Sequence, residues 1–222
     1  MSGEREAGFA ALVVHELRSP LAAMIGAARM LRARWPELDD AGRESLLALL
    51  ADESGRVERL LGELQDASRV AAGGFAYEFA EVDPGRLVEE AVAAARVAAG
   101  GVSVLARLDR PPALVRGDAG RLRQALDNLI GNAVKVSPPG AEVEVVAESR
   151  DGALRISVRD SGLGVAAADR ERIFEAFEQA GNRPGAGLGL HVARAIAEAH
   201  GGAVELDSAS GGGATFALVL PV

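Results

Sequence analysis

The chain has no cysteine, and only one lysine, one tryptophan and one tyrosine among its 222 residues. Without cysteine there are no disulfides and no thiolate metal sites. Aromatic residues make up 4%, so the core must be built mainly from Ala, Val, Leu and Ile. No apolar run reaches the roughly 18 residues of a membrane span; the best stretch, residues 91–106, is broken by Arg96 and by Gly100-Gly101. The first residues (Ser2, Glu4, Arg5, Glu6) are polar and acidic, unlike a signal peptide. Positive charge is in deficit too, with 24 basic against 32 acidic residues and a net charge of −8. Such a surface does not neutralise nucleic-acid phosphates and is repelled by anionic lipid headgroups. These absences predict a soluble, cytoplasmic chain with no nucleic acid and no membrane contact of its own.

What remains is an ordinary globular balance, 49% hydrophobic and 25% charged, with room for one large domain or two small ones. Phe9, Val13, Leu17, Leu21, Ile25 and Ala28, with Leu31 further on, recur as one face of a helix. Trp35-Pro36 breaks the pattern, and Asp40 is placed to cap a second helix. That helix carries Leu46, Leu47, Leu50, Val57, Leu60, Leu61 and Leu64, and it fades at Ala71-Ala72-Gly73-Gly74. One helical hairpin cannot cover both of its apolar faces, whereas two hairpins can do so as a four-helix bundle. Residues 1–72 are therefore expected to form a dimerising domain, and residues 75–222 a second domain.

From Phe75 onward the texture is mixed. Strands are expected at 102–108, 142–147, 154–159, 203–206 and 215–220, and helices at 84–99, 118–136, 166–177 and 188–200. The fold class is α+β: a helical hairpin followed by an α/β sandwich whose helices cover one face of a mixed sheet.

Four clusters carry chemistry. Helical residues advance about 100° each, so His15 lies roughly 200° from both Val13 and Leu17 and is expected to face solvent, beside Glu16. A neutral imidazole is a good nucleophile near neutral pH, and a carboxylate partner fixes its tautomer. Asn128, Asn132 and Lys135, spaced by four and three, project from one side of a helix whose other side is apolar. Carboxamide oxygens coordinate a hard cation, and an ammonium suits phosphate oxygens. Because Arg carries every other positive charge, the lone Lys135 marks either a site wanting a compact ammonium or an accident of composition. Asp160-Ser161-Gly162-Leu163-Gly164 follows a strand, where a carboxylate can accept from an amino group. Gly185-Ala186-Gly187-Leu188-Gly189 opens a helix, where backbone amides and the helix dipole favour phosphate. No Gly-Lys-Ser/Thr occurs, so this is not a P-loop.

The segment from His15 to Leu21 resembles the phospho-acceptor motif of the sensor histidine kinase family. The Asp127–Lys135 run resembles that family's N box, Ile173-Phe174-Glu175-Ala176-Phe177 its F box, and the two glycine clusters its remaining nucleotide motifs, in the family's order. His200-Gly201-Gly202 and Gly213-Ala214-Thr215-Phe216 extend the likeness. The resemblance implies ATP and Mg²⁺ as cofactors, with His15 as nucleophile oriented by Glu16, and Asn132 holding the metal. It implies Asn128, Lys135, Gly187, Leu188 and Gly189 around the phosphates, and Asp160, Gly162 and Gly164 around adenine. It also implies a homodimer and a response regulator receiver domain as partners. Val136 replaces the family's frequent aromatic, and Ser19 its usual Thr or Asn. A short lid, residues 179–184, carries Arg183, either a γ-phosphate ligand or a solvated side chain. His191 and His200 read as structural.

Related ATPases carry a general-base Glu where this chain has Asn128, which cannot accept a proton, so transfer to a protein nucleophile is favoured over hydrolysis. The alternative reading is a non-catalytic nucleotide-binding interaction module. Sedimentation of residues 75–222 alone is expected to show a monomer that binds ATP, and the full chain a dimer. A dimer formed by 75–222 alone would place the interface in the wrong domain.

Overall fold

The computed structural model of the chain describes residues 2–108, 113–150, 152–178, 187–208 and 212–222, and for residues 2–13 and 15 the backbone alone. The chain divides into two compact units, Met1–Asp66 and Ala67–Val222.

The first unit is a hairpin of α1 (Ser2–Arg34) and α2 (Asp40–Ala71), with Pro20 inside α1. The turn is held from both sides. The Asp39 carboxylate accepts from the Gly42 amide at 2.8 Å, and the Arg43 guanidinium stacks on Trp35 at 4.7 Å while donating to the Trp35 carbonyl. Asp39, not Asp40, is therefore the cap: its side chain reaches the amide three residues on, and Asp40 is already helical. The apolar stripe expected along α1 is split. Leu31 is buried, but Leu21 and Ile25 are 44% and 51% exposed and Ala28 is exposed as well. Its neighbour Ala27 is buried instead, as is Leu60 on α2. One neighbouring helix covers only one side of α1. Among the described residues no helix is long and apolar enough to cross a membrane.

The second unit is built on a five-stranded sheet of β2 (Ser103–Arg107), β4 (Glu142–Arg150), β5 (Ala153–Arg159), β6 (Ala203–Ser208) and β7 (Ala214–Pro221), in the order β2-β4-β5-β7-β6. Only the β2–β4 pair is parallel. Alternation decides its faces. Val143, Val145, Leu154, Ile156, Val158, Phe216 and Leu218 turn inward with Leu87 and Val88 of α3 (Pro84–Ala98), Leu126 and Ile130 of α4 (Ala119–Val136), and Val192 and Ile196 of α5 (Gly189–Ala199). The other face carries the ion pairs Arg107–Glu144 and Arg155–Glu205.

Two elements escaped the sequence pattern, β1 (Ala80–Val82) and β3 (Val115–Gly117), which pair antiparallel. At three residues each they are too short to show a period. The helix expected over 166–177 does not form; two short 3₁₀ turns, Ala167–Asp169 and Arg172–Phe174, replace it. Tertiary contacts outcompete its good local propensity: Arg170 donates to the Ser208 carbonyl, the Phe174 carbonyl bonds His191 Nδ1, and the adjacent Ile173 and Phe174 are both buried.

His200, read as structural, joins the ends of two helices. It is buried at the end of α5, with Nδ1 2.7 Å from the Ile196 carbonyl and Nε2 3.0 Å from the Asp118 amide. Those partners require the tautomer with the proton on Nδ1. Tyr77 and Phe79 pack on its ring. Asp118 in turn caps α4 through the Arg121 amide and accepts from the Glu78 amide. Burial opposes ionisation of Asp118, but the amides of Glu78, Arg121 and Gly120 and the Arg121 guanidinium outweigh it and hold its carboxyl below the usual range. A carboxyl lowered in this way stabilises the fold above its unfolded-state value, and that contribution is lost as pH falls through the folded value.

Where α5 turns into β6, a Cβ on Gly202 would lie 2.0 Å from the Val219 carbonyl oxygen. Gly202→Ala is expected to cost about 3 kcal/mol in thermal unfolding, the scale of a severe backbone clash. At Gly152, φ is +79° and no atom lies within 4 Å of a Cβ, so Gly152→Asn should stay within about 1 kcal/mol.

Candidate functional site

β5 delivers Asp160 to the sheet edge, and the carboxylate is then fixed by backbone. Its Oδ1 accepts from the Gly162 amide at 2.8 Å and the Ala214 amide at 3.1 Å, and its own amide donates to the Ala214 carbonyl at 2.8 Å. Asp160 is buried, and among the described residues Oδ2 has no hydrogen-bond partner. A carboxylate held by one oxygen leaves the other to accept from an amino group of a ligand. Gly213 makes the clamp possible. Its φ is +77°, and a Cβ there would lie 2.3 Å from the Asp160 carbonyl oxygen. The sequence motif places Gly213 only in a terminal run, and Gly211-Gly212-Gly213 just before a strand is the signal for a close approach.

The loop after Asp160 lies against the end of α4. A Cβ on Gly162 would meet the Val136 side chain and carbonyl at 3.0 Å each. The Ser161 amide donates to Ser137 Oγ at 3.2 Å, a contact that motif spacing gave no reason to expect. Gly164 takes φ +73°.

On α4 the polar set is segregated as the spacing predicts. Leu126, Leu129, Ile130 and Ala133 are buried, while Lys135 is exposed and makes no ion pair among the described residues. Asn132 is unusual. Its Nδ2 is buried with no hydrogen-bond partner among the described residues. Leaving such a group unsatisfied costs about 1–3 kcal/mol. The fold leaves this amide donor unused, and the carboxamide oxygen beside it is a hard donor of the kind Mg²⁺ takes. Among the described residues no cluster of three His, Cys, Asp or Glu is placed to hold a metal.

The last glycine cluster closes the site from α5. A Cβ on Gly189 would touch Asn128 Cβ and Cγ at 3.6 Å, so the start of α5 and the Asn face of α4 are neighbours. Leu188 is buried at the N-cap position, where no side chain caps the helix, and the first amides remain for an anionic ligand. Gly187, at φ +69°, would place a Cβ 2.7 Å from the Glu178 carbonyl oxygen. Gly185, Ala186 and the lid at 179–184 with Arg183 lie outside the described residues.

In the hairpin, His15 belongs to α1, and its side chain lies outside the described residues. Its neighbour Glu16 faces α2, with Oε2 3.9 Å from Nη2 of Arg56. Gly162 thus lies against the last residue of α4, Val136, and Gly189 beside Asn128 in the middle of that helix, with Asn132 and Lys135 between these two points along the helix. The arrangement combines an amino acceptor, a hard metal donor, an ammonium and open helix amides, the parts needed to bind a nucleotide triphosphate with its cation.

Comparison with known proteins matches family models to both parts of the chain. Residues 5–73 match the model of the His Kinase A (phospho-acceptor) domain, and residues 117–222 that of the Histidine kinase-, DNA gyrase B-, and HSP90-like ATPase. Histidine protein kinase DivJ of Caulobacter vibrioides is 36% identical over 97% of this chain and 37% of its own length. Sensor-like histidine kinase SenX3 of Mycolicibacterium smegmatis is 37% identical over 96% of this chain and 56% of its own. The chain thus spans about a third to a half of these relatives. Full-length ShkA, solved in complex with AMPPNP, superposes with a TM-score of 0.70 at 34% identity, over 97% of this chain and 45% of that one. The mycobacterial sensor histidine kinase MprB superposes at 0.59 with 30% identity, over 65% of this chain and 97% of that one.

Because the Asn132 carboxamide is an unpaid cost to the fold, Asn132→Ala should leave the thermal midpoint unchanged or raise stability by about 1 kcal/mol. Mg²⁺-dependent nucleotide binding, read by titration calorimetry, should be lost in the same variant. Unchanged metal-dependent binding would remove Asn132 from the site.

Proposed function

The chain belongs to the sensor histidine kinase family of two-component systems, and on that premise we propose that it moves the γ-phosphoryl group of ATP onto its own His15. The observation that carries the reading is the orphaned Asn132 Nδ2, on a helix that also carries Lys135 and presents Asn128 beside the start of α5. In this reading the free oxygen of Asp160 accepts from the adenine amino group, and Gly162 and Gly164 admit the base. The amides at Gly187, Leu188 and Gly189 hold the phosphates with Lys135 and Asn128. Mg²⁺ bound by Asn132 would neutralise charge on the phosphate oxygens.

The reaction forms a bond from an imidazole nitrogen to the γ-phosphorus and breaks the bond from that phosphorus to the bridging oxygen, so ADP leaves. Such a transfer needs positioning and charge neutralisation more than covalent help. Glu16 accepts a hydrogen bond from the imidazole and orients it. With Asn128 where a general base would stand, activation of water is disfavoured.

Residues 1–72 are the acceptor and dimerisation domain in this proposal, and residues 75–222 the ATP-binding domain. Gly73 and Gly74, both at positive φ, would be the pivot between them. Exposed Leu21, Ile25, Leu47 and Leu61 support a homodimer, since a second hairpin would cover them. The phosphoryl group would then pass to an Asp of a response regulator receiver domain.

Incubation with labelled ATP and Mg²⁺ is expected to give an acid-labile, base-stable phosphoprotein. His15→Gln should abolish the label and leave nucleotide affinity unchanged. Label that survives this substitution would sink the assignment of His15.

A further inference from the structure

The α1–α2 hairpin holds a charge arrangement that the proposed transfer does not yet use. Arg56, on α2, lies with Nη2 3.9 Å from Glu16 Oε2 and Nη1 4.0 Å from Glu53 Oε2. One guanidinium therefore stands between two carboxylates, at ion-pair distance from each. The second carboxylate is the more telling. Glu53 Oε2 is buried and has no hydrogen-bond partner among the described residues. A buried carboxylate oxygen without a partner is costly, and the arginine is the cation that offsets it. The charged side chains one turn from Arg56 on its own helix are Asp52, Glu53 and Arg59. One turn from Glu16 stand only Leu12, Val13, Ser19 and Pro20, none of them charged. Arg56 is thus the cation that reaches Glu16 from the helix packed against it.

We propose that Arg56 is a positioning residue for the transfer to His15, with Glu53 fixing Arg56 and Arg56 fixing Glu16. The chemistry follows the logic of an oriented base. A carboxylate that accepts from an imidazole through one oxygen is aimed by whatever holds its other oxygen. Glu16 adjoins His15, and its Oε2 is the oxygen that Arg56 approaches, so Oε1 is left for the imidazole. The two contacts are looser than direct hydrogen bonds, as catalytic contacts commonly are before substrate binds. A guanidinium suits the task because its planar fork serves two acceptors at once, which an ammonium does less well. The inference depends on the transfer to His15 proposed above and adds the residues that prepare its acceptor.

The test uses the full chain, labelled ATP and Mg²⁺. Arg56→Ala alone strands the Glu53 charge and risks unfolding, so the informative variant is Arg56→Ala with Glu53→Gln, which removes the buried charge together with its partner. That double variant is expected to keep its helical circular dichroism and its KM for ATP, while kcat for labelling falls about tenfold, the usual loss when an orienting partner is removed. Arg56→Lys should recover part of that loss. In a Glu16→Gln background the same double change should cause no further loss, because Arg56 acts through Glu16. Losses that multiply in that background, or wild-type kcat in the folded double variant, would overturn the role of Arg56 while labelling of the parent protein leaves the histidine reading standing. Absence of labelling in the parent protein would overturn both.

Discussion

The nucleotide unit depends on one buried carboxylate being held by the main chain. Asp160 is gripped by the amides of Gly162 and Ala214, and the grip requires Gly213 to press against its carbonyl group where a side chain could not fit. The consequences spread outward. Fixing Asp160 fixes the turn at Gly162, which lies on Val136 and so sets the end of α4 against the end of β5. The far end of α4 is set independently, by the Asp118 cap and its bond to His200 at the end of α5. A helix held at both ends presents Asn128, Asn132 and Lys135 in fixed positions, and preorganised groups cost no reorganisation when the reaction occurs.

Against this rigidity, the site keeps some of its polar groups deliberately unsatisfied. Asp160 Oδ2, the Asn132 carboxamide and the first amides of α5 lack protein partners among the described residues. Most of the polar groups around them are spent: Ser137, Ser161, Ser208 and His200 all make hydrogen bonds. The contrast between spent and unspent groups is what sets this face apart from the merely polar ones. The same contrast recurs in the hairpin, where the buried Glu53 oxygen is unsatisfied and an arginine stands between it and the acid beside His15.

Much of this was legible in the sequence because it is written in local spacing. The four-and-three spacing of Asn128, Asn132 and Lys135 placed them on one side of α4, and Leu129, Ile130 and Ala133 between them are buried as that spacing required, with Val134 half-buried. The long strands were legible because they alternate. Where local preference and tertiary contact disagree, the sequence misleads. Residues 166–177 have helical composition but are pulled into 3₁₀ turns by Ser208 and His191, which are distant in sequence. Three-residue strands are too short to carry a period. Asp39 and Asp40 are equally good caps on paper, and only the reach of Asp39 to Gly42 distinguishes them. The pairing of Glu16 with Arg56 spans the hairpin turn, and nothing in either local segment announces it.

The central claim is that the γ-phosphoryl group of ATP goes to an imidazole and not to water, and product stoichiometry tests it most directly. With the purified chain, Mg²⁺ and ATP in a single round, ADP, free phosphate and protein-bound phosphoryl groups can be counted together, and the modified peptide sequenced by mass spectrometry. One ADP is expected for each phosphoryl group found on His15, with no matching release of free phosphate. ADP formed in step with free phosphate while the peptide containing His15 stays unmodified would contradict it.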